Sequence, residues 1–216
     1  MFDDVTVIGS GRAGTAIAAR LQERGIRVRD DAGLRLLCVP DRAIAEVARS
    51  IEPGPWVAHV SGGTPLAALD PHERRFSVHP LQTLTKERGP EQLDGAWGGI
   101  TAETPEAHAR AIWLAETLGL RPVELADDRR ALYHAGAAVA SNFLVTLYRV
   151  ASALVEQAGA PPEALVPLMT RTIENGFELT GPISRGDWET VERHREAMHD
   201  TEYAHLYDVL AEATHP

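Results

Sequence analysis

Two histidines stand where side-chain chemistry would be well placed. His79 follows the strand-like run RFSV and precedes Pro80, so it lies at the carboxyl end of a predicted strand, where open α/β sheets build their sites. With an ordinary pKa of about 6.5, a histidine accepts or donates a proton near neutral pH. Gln82 and Thr83 come shortly after it and can hydrogen-bond a substrate carbonyl or carboxylate. The alternative is a histidine that only satisfies a backbone carbonyl.

The second histidine, His134, lies in a long apolar helical run with Ser141 and Asn142. At about 100° per residue, His134 and Ser141 lie within roughly 20° of each other on a helix, with Asn142 on the flank. Polar groups in such a helix must be satisfied, so we expect this stripe to face a cleft opposite His79. Ser141 and Asn142 would then orient a substrate oxygen. A buried network that ties the helix to the rest of the protein is the alternative.

Two further clusters of polar residues lie near the carboxyl terminus. Arg185 in the loop TGPISRGD can clamp a carboxylate with two parallel bonds, whereas Asp187 is better explained as the cap of a helix that begins at Trp188. Three histidines follow at spacings of five and six residues, which do not share one helical face, so we expect no metal site. These histidines are His194, His199 and His205.

A glycine fingerprint opens the chain. Gly9, Gly11 and Gly14 form G-x-G-x-x-G directly after a strand-like run and directly before a helix-like run. This context is typical of a dinucleotide-binding turn, in which the second glycine lets a pyrophosphate approach the backbone at a helix N-terminus. The alternative is a turn whose glycines serve packing alone.

The segment after the fingerprint is too short for a complete nucleotide-binding half. An acidic residue roughly 20 positions on binds the adenosine ribose in such units, and Asp30 and Asp31 stand at about that distance, beside Arg27 and Arg29, which would instead favour a 2′-phosphate. The next apolar run, LRLLCVP, begins almost at once, which leaves no room for a parallel crossover. We therefore expect IRVRDD to run antiparallel to LRLLCVP at the edge of the sheet or to form no strand, and the adenosine pocket to lose a wall.

Strand-like and helix-like runs alternate up to about residue 125, and only helical periodicity follows. The pattern predicts an α/β fold with a Rossmann-like, mostly parallel sheet that is truncated after the second strand, over residues 1–125. Residues 126–216 are predicted to form an all-α domain. Its run from about Asp128 to Gln157 is apolar on nearly all sides and should be buried in a bundle or an interface.

Composition narrows the function classes. The 216 residues carry a net charge of −10 with one lysine, Lys86, and no basic cluster, so nucleic acid is not an expected partner. The longest apolar stretch is interrupted by Ser141 and Asn142 and is judged too short to span a bilayer, and the acidic N-terminus does not resemble a signal peptide. The single cysteine, Cys38, gives no disulfide. We expect a soluble, cytoplasmic protein.

Six motifs occur in an order that resembles a known family. They are VIGSGRAGTAIAARL, LLCVPDRAIAEVA, VAHVSGG, SVHPLQTL, ALYHAGAAVASNFLVTL and LTGPISRGDWETVERH. The chain resembles, over essentially its whole length, a largely uncharacterised family of predicted oxidoreductases that join a Rossmann-like domain to a helical domain of unknown function. That family belongs to the superfamily with 6-phosphogluconate dehydrogenase-type C-terminal domains, with ketopantoate reductase, prephenate dehydrogenase and pyrroline-5-carboxylate reductase.

The resemblance implies an NAD- or NADP-dependent oxidoreductase that reduces a small carbonyl or imine between the domains and forms a homodimer through the helical domain. By carry-over, the pyrophosphate would face Gly9, Ser10, Gly11, Arg12, Ala13 and Gly14. The nicotinamide side would be lined by Val39, Pro40 and Asp41, with Ser61 and Gly62 in the next turn. The hydroxy-acid dehydrogenases of the superfamily carry a lysine four residues before the helix asparagine; Ala138 stands there, so proton transfer falls to His79 or His134. A non-redox protein with a degenerate dinucleotide site is the alternative.

Overall fold

The computed structural model describes residues 1–214 and contains one seven-stranded sheet, with helices between its strands and further helices after the last strand. The strands are β1 (Asp4–Ile8), β2 (Arg27–Val28), β3 (Leu34–Leu37), β4 (Trp56–His59), β5 (Arg75–Leu81), β6 (Trp97–Ala102) and β7 (Arg121–Glu124). The α-helices are α1 (Arg12–Glu23), α2 (Asp41–Arg49), α3 (Pro105–Thr117), α4 (Arg130–Ala138), α5 (Leu144–Gln157), α6 (Leu165–Glu174), α7 (Trp188–Met198) and α8 (Ala204–Thr214).

The sheet has the order β2-β1-β3-β4-β5-β6-β7, and only β5 and β6 pair antiparallel. Helices α1 and α3 pack on one face, over Ile17, Leu21 and Leu114, and α2 packs on the other through Ile44 and Ala48. These residues are buried because the helices turn an apolar stripe toward the sheet. The predicted α/β, mostly parallel, Rossmann-like architecture is thereby confirmed.

The prediction for the segment between β1 and β3 was wrong. Strand β2 is a true edge strand, parallel to β1, with Arg27 opposite Asp4 and Val28 opposite Val5. It does not pair with β3, because the two strands flank β1 on opposite sides. The connection from β2 to β3 is therefore a crossover over β1 without a helix, and it can be short because β2 ends opposite Val5 and β3 pairs with β1 from Thr6 onward.

A short linker carries the chain across the face of β1 instead. The N–H of Ala32 donates to the Thr6 hydroxyl (3.1 Å), and the N–H of Gly33 donates to the Asp4 carboxylate (3.4 Å). Asp4 and Thr6 point to the same face of β1, since side chains alternate along a strand. The linker thus covers, with its own backbone, a face that a helix would otherwise cover.

Contacts divide the described chain into two compact units, Met1–Ser141 and a second unit from Asn142 onward. The first unit contains the whole sheet and helix α4, and the second contains α5 to α8. The strands end where the sequence predicted a boundary, near residue 125, but the segment that follows still packs with the first unit as far as Ser141.

One continuous helical run, Asp127–Gln157, spans 31 residues and crosses that boundary. A π-helical turn over Val139–Phe143 interrupts it. Its most apolar window has a mean hydropathy of 1.5 and is 0% buried, so by length and composition alone it meets the criterion for a membrane span. The sequence-based length argument against a span was therefore wrong. Core helices of soluble proteins pass the same criterion, but this one has an exposed apolar surface instead of a buried one.

Candidate functional site

Two glycines of the fingerprint are required by packing. Gly9 has φ of 117°, and a Cβ there would lie 2.4 Å from the Cys38 carbonyl oxygen. A Cβ on Gly14 would lie 2.0 Å from the Gly9 carbonyl oxygen. Any side chain at either position would collide with backbone, so these two residues let β1, β3 and α1 approach each other closely.

Gly11 is different, because nothing in the fold requires a glycine there. Its φ of −71° suits any residue, and a Cβ would meet no atom within 4 Å. It is the N-cap of α1, which has no capping side chain and no acidic residue in its first turn. The first amide groups of the helix therefore have no partner on their own element. A bare backbone at a helix N-terminus fits a phosphate group, and this turn has room for the pyrophosphate of a dinucleotide.

The adenosine side of that site is not built in the same way. Strand β2 ends opposite Val5, three residues before the end of β1, or roughly 10 Å below the glycine turn at about 3.3 Å per residue. Asp31 pairs with Arg35 at 3.0 Å, and Arg27 and Arg29 both face Asp4, at 3.4 and 3.8 Å. Asp31 and the two arginines suggested by the sequence are thus paired with other residues of the chain, Arg35 and Asp4. The pyrophosphate half fits a dinucleotide, and the adenosine half lacks its usual support.

The next two loops along the sheet lie at the same edge, since β1, β3 and β4 are parallel neighbours. Pro40 and Asp41 form the N-terminus of α2 directly after β3, as the sequence suggested. After β4, the Ser61 hydroxyl accepts the N–H groups of Gly63 and Thr64, at 3.2 and 3.0 Å. Ser61 therefore fixes the turn.

His79 and His134 come together, as predicted. Their rings meet edge to face with centroids 6.0 Å apart. A Cβ on Gly62 would lie 2.9 Å from His79 Nε2 and 2.9 Å from His134 Cδ2, so only a glycine permits this contact. The second nitrogen, His79 Nδ1, lies 2.9 Å from the hydroxyl of Tyr133. The site thus has two imidazoles and a phenol against one glycine turn.

Arg130 lies behind this group and was missed by the sequence reasoning. It is 1% exposed. Its guanidinium donates to the Thr101 hydroxyl (2.7 Å), to the Ser77 hydroxyl (2.8 Å) and to the Ser61 carbonyl. Within residues 1–214, no carboxylate forms an ion pair with it, and its Nε, which is buried, has no partner. A buried cation with neutral partners creates a positive field in the site.

Tyr133 and His59 were missed as well. The sequence marks the missed residues only weakly. Arg130 stands four residues, about one helical turn, before His134, and His59 ends the run WVAH. His59 is fully buried, and its Nδ1 accepts the N–H of Ser61 at 3.2 Å. Nothing in the sequence separates these residues from ordinary structural ones, because only the assembled sheet edge brings them together.

Burial and positive charge keep both inner histidines neutral. Desolvation, with the charges of Arg130 and His79, lowers the pKa of His59 to about 3. Desolvation, with the charges of His134 and Arg130, lowers the pKa of His79 to about 4, against the opposing charge of Asp41. Desolvation raises the pKa of Tyr133, although Arg130 opposes the shift. At neutral pH His59, His79 and Tyr133 are therefore neutral.

The remaining sequence candidates are placed as follows. Gln82 and Thr83 are exposed at the end of β5, where the Thr83 N–H donates to the Gln82 side chain at 2.8 Å. The Ser141 hydroxyl donates to the Ala137 carbonyl (2.7 Å) inside the π-helical turn, so the regular α-helix assumed for the stripe of His134, Ser141 and Asn142 is interrupted.

Asn142 and Arg185 belong to the second unit. Arg185 ends a short 3₁₀ turn, Ile183–Arg185, and is exposed. Asp187 caps α7 by accepting the Thr190 N–H at 3.1 Å, which confirms the capping interpretation. Across residues 1–214, no group of three or more His, Cys, Asp or Glu side chains is arranged to hold a metal ion.

These features define a class of protein: an α/β domain with a Rossmann-like sheet and a glycine turn, joined to a helical unit. The chain belongs to the family of the Domain of unknown function (DUF2520), whose model matches residues 96–214, more than half of the chain. No curated protein sequence matches it significantly.

Solved structures share the whole fold. A "putative NADP oxidoreductase" from Bacteroides fragilis is 22% identical with a TM-score of 0.82, over 98% of this chain and 97% of that chain. A protein from Thermotoga maritima is 22% identical with a TM-score of 0.79, over 97% and 96%. The 1-pyrroline-5-carboxylate reductase of Streptococcus pyogenes is 12% identical with a TM-score of 0.64, over 98% and 96%. At such identities the similarity shows the fold.

Proposed function

We propose that this protein is an NAD(P)-dependent oxidoreductase that reduces a small carbonyl or imine. One observation carries the proposal: Gly11, which no neighbour requires to be a glycine, leaves open space at the bare N-terminus of α1. A turn kept for packing alone would need Gly9 and Gly14, but not Gly11. The space suits a phosphate ligand, and it lies at the same sheet edge as the loops that follow β3 and β4.

Two groups of residues would take part in such a reaction, one that binds the cofactor and one that transfers the proton. The turn from Gly9 to Gly14 would hold the pyrophosphate, and Asp41 with its neighbours after β3 would line the nicotinamide side. When bound, the reduced dinucleotide supplies a hydride. His79, beside Gly62, offers its Nε2 to a substrate oxygen or nitrogen: this atom has no partner in the described chain and is not fully buried.

The relatives' names support the same class of reaction. One structural neighbour carries the name NADP oxidoreductase and another is a pyrroline-5-carboxylate reductase, which favours an NAD(P)-linked reduction here. We further propose that the chain belongs to the superfamily with 6-phosphogluconate dehydrogenase-type C-terminal domains. The choice between NAD and NADP, the location of the substrate between the two units and the cytoplasmic location stay predictions.

The helical unit supports a homodimer. Large apolar side chains on the π-helical turn, on α5 and α6 and on the turn after α6 are exposed: Phe143 (58%), Val145 (50%), Leu168 (63%), Ile173 (52%) and Phe177 (72%). Monomeric soluble proteins rarely expose contiguous apolar patches of this kind. We propose that a second copy of the chain covers this surface, in place of a lipid bilayer.

A titration with NADH and NADPH, followed by calorimetry and by nicotinamide fluorescence, tests the function. We expect micromolar binding to the wild-type protein and on the order of tenfold weaker binding to Gly11→Ala, because a methyl group would fill the phosphate site. The matched control is Gly136→Ala, which also places a Cβ in open space, on the surface of α4. Both variants should keep the wild-type melting temperature within a few degrees. Absence of wild-type binding up to millimolar concentration would overturn the proposal.

A second function is favoured by the short β2. Because the adenosine half lacks its support, the site also fits a non-redox protein that holds a smaller phosphorylated ligand at the glycine turn. The same titration separates the two proposals when inorganic phosphate and a sugar phosphate are included. Binding of these ligands without binding of either dinucleotide would establish the second function and exclude the first.

A further inference from the structure

The two nitrogens of His79 have different surroundings. Nδ1 lies 2.9 Å from the Tyr133 hydroxyl, and the two rings meet edge to face with centroids 5.5 Å apart. Nε2 lies on the opposite side of the ring, against Gly62, where it has no protein partner within residues 1–214. One nitrogen therefore has the Tyr133 hydroxyl as its partner, and the other is free for a ligand.

The buried cation behind His79 and Tyr133 also lacks a direct ion-pair partner. Arg130 is buried, bonds only to hydroxyl and carbonyl oxygens, and forms no ion pair among the described residues. A buried guanidinium without a direct ion pair is costly to desolvate, and the charges of Asp127 and Asp41 offset this cost only from beyond ion-pair distance. The Tyr133 hydroxyl, which contacts His79, can also become an anion: desolvation raises its pKa, and the charge of Arg130 opposes that rise.

We propose that Tyr133, His79 and Arg130 form a proton relay. His79 is the catalytic residue that delivers the proton to the substrate. Tyr133 and Arg130 are positioning residues: Tyr133 gives its proton to His79, and Arg130 stabilises the phenolate that remains. The proposal rests on the reductase function. It explains how an imidazole that stays neutral can act as a proton donor. Without the relay the proton donor would be an imidazolium, whose formation is opposed by desolvation and by the charges of His134 and Arg130.

The step balances without a charged imidazole. In this reaction the bound dinucleotide would supply a hydride to the carbonyl carbon, and the electron pair of the C=O π bond would move onto oxygen. That oxygen takes the proton from His79 Nε2 as the Nε2–H bond breaks. Nδ1 takes the proton of the Tyr133 hydroxyl in the same step, which leaves neutral imidazole in the other tautomer and a phenolate near Arg130. Solvent then returns a proton to the half-buried phenol.

The relay requires one tautomer of His79, with the proton on Nε2 and a bare Nδ1 that accepts from Tyr133. The test is the ¹⁵N spectrum of histidine-labelled protein at pH 7, in which the two tautomers have distinct shifts. The signal of His79 is identified by its loss in His79→Asn. We expect the Nε2–H form to predominate in the wild type. In Tyr133→Phe its ratio to the Nδ1–H form should fall about fivefold, because one hydrogen bond contributes about that factor.

The chain contains a matched control. His194 Nδ1 lies 2.8 Å from the Tyr207 hydroxyl, in the same geometry but on α7 and α8. Tyr207→Phe should change the spectrum of His194 and leave that of His79 unaltered. A wild-type His79 with the proton on Nδ1 would overturn the relay, since a protonated Nδ1 cannot accept from the phenol. An unchanged ratio in Tyr133→Phe would also overturn it.

This measurement uses the protein without cofactor, so its outcome does not depend on the reductase function. Failure to bind NADH or NADPH refutes the function and leaves the tautomer result standing, whereas the wrong tautomer refutes the relay while binding persists. If Tyr133→Phe does not fold, the tautomer of the wild-type His79 alone decides between the two outcomes.

Discussion

Acidification should destabilise this protein through His59, well above the pH at which most carboxylates are protonated. His59 is fully buried and its pKa is lowered from 6.5 to about 3, chiefly by desolvation. The unfolded chain binds the proton below about pH 6.5, whereas the folded chain does not until about pH 3. Stability therefore rises with pH across this window and is lost as the pH falls through it.

The magnitude follows from the two pKa values. Each pKa unit corresponds to about 1.4 kcal/mol, so the change from pH 7 to pH 5 removes about 2 kcal/mol through His59 alone. The lowered pKa of His79 acts with the same sign. A small domain is stable by only about 5–15 kcal/mol, so the effect of one residue is measurable.

Urea unfolding at pH 7 and pH 5 measures this difference in His59→Asn against the wild type. The asparagine oxygen can take the place of Nδ1 and accept the N–H of Ser61, and it does not titrate. The variant should lose about 2 kcal/mol less than the wild type between the two pH values. His199→Asn, at an exposed position, is the control and should behave as the wild type. Equal losses in His59→Asn and wild type would show that His59 is protonated in the folded state, which contradicts the burial argument.

Two further predictions concern the cofactor and the assembly. Reduced nicotinamide mononucleotide should bind within about tenfold of NADH, because β2 ends opposite Val5 and leaves the adenosine half unsupported; a hundredfold loss in the same titration would refute this. Leu168→Glu should convert the dimer to a monomer in sedimentation and light scattering, because it places a charge on the exposed apolar surface of α6, while Val123→Glu on β7 should not. A wild-type protein that is monomeric at micromolar concentration would refute the dimer.

Sequence patterns predicted most elements because each is a local property. The alternation of apolar runs located β1 and β3 to β7, and the cap at Asp187 followed from residue type and position alone. The partners of β2 did not follow, because a strand's pattern says how it is buried and not which strand lies beside it. The linker could be interpreted only once Asp4 and Thr6 were seen to accept its N–H groups.

The candidate site was predicted in part for the same reason. His79 and Gly11 are marked by a strand end and by a motif. Arg130 and Tyr133 carry no such mark, since arginines are usually exposed and a tyrosine in an apolar helix usually belongs to a core. Their role arises from distances between residues that are about 50 to 70 positions apart in the chain, such as the bond of Arg130 to the Ser61 carbonyl.

The linker across β1 also makes this sheet extensible. Its two ends lie on opposite sides of one strand, and β2 keeps a free outer edge. A helix, a strand and a returning crossover inserted between Arg29 and Gly33 would extend the sheet beyond β2 while the order of the other strands stays the same. The chain therefore corresponds to a standard dinucleotide-binding sheet that lacks one helix–strand unit at this linker. An insertion at the same linker would restore an adenosine pocket.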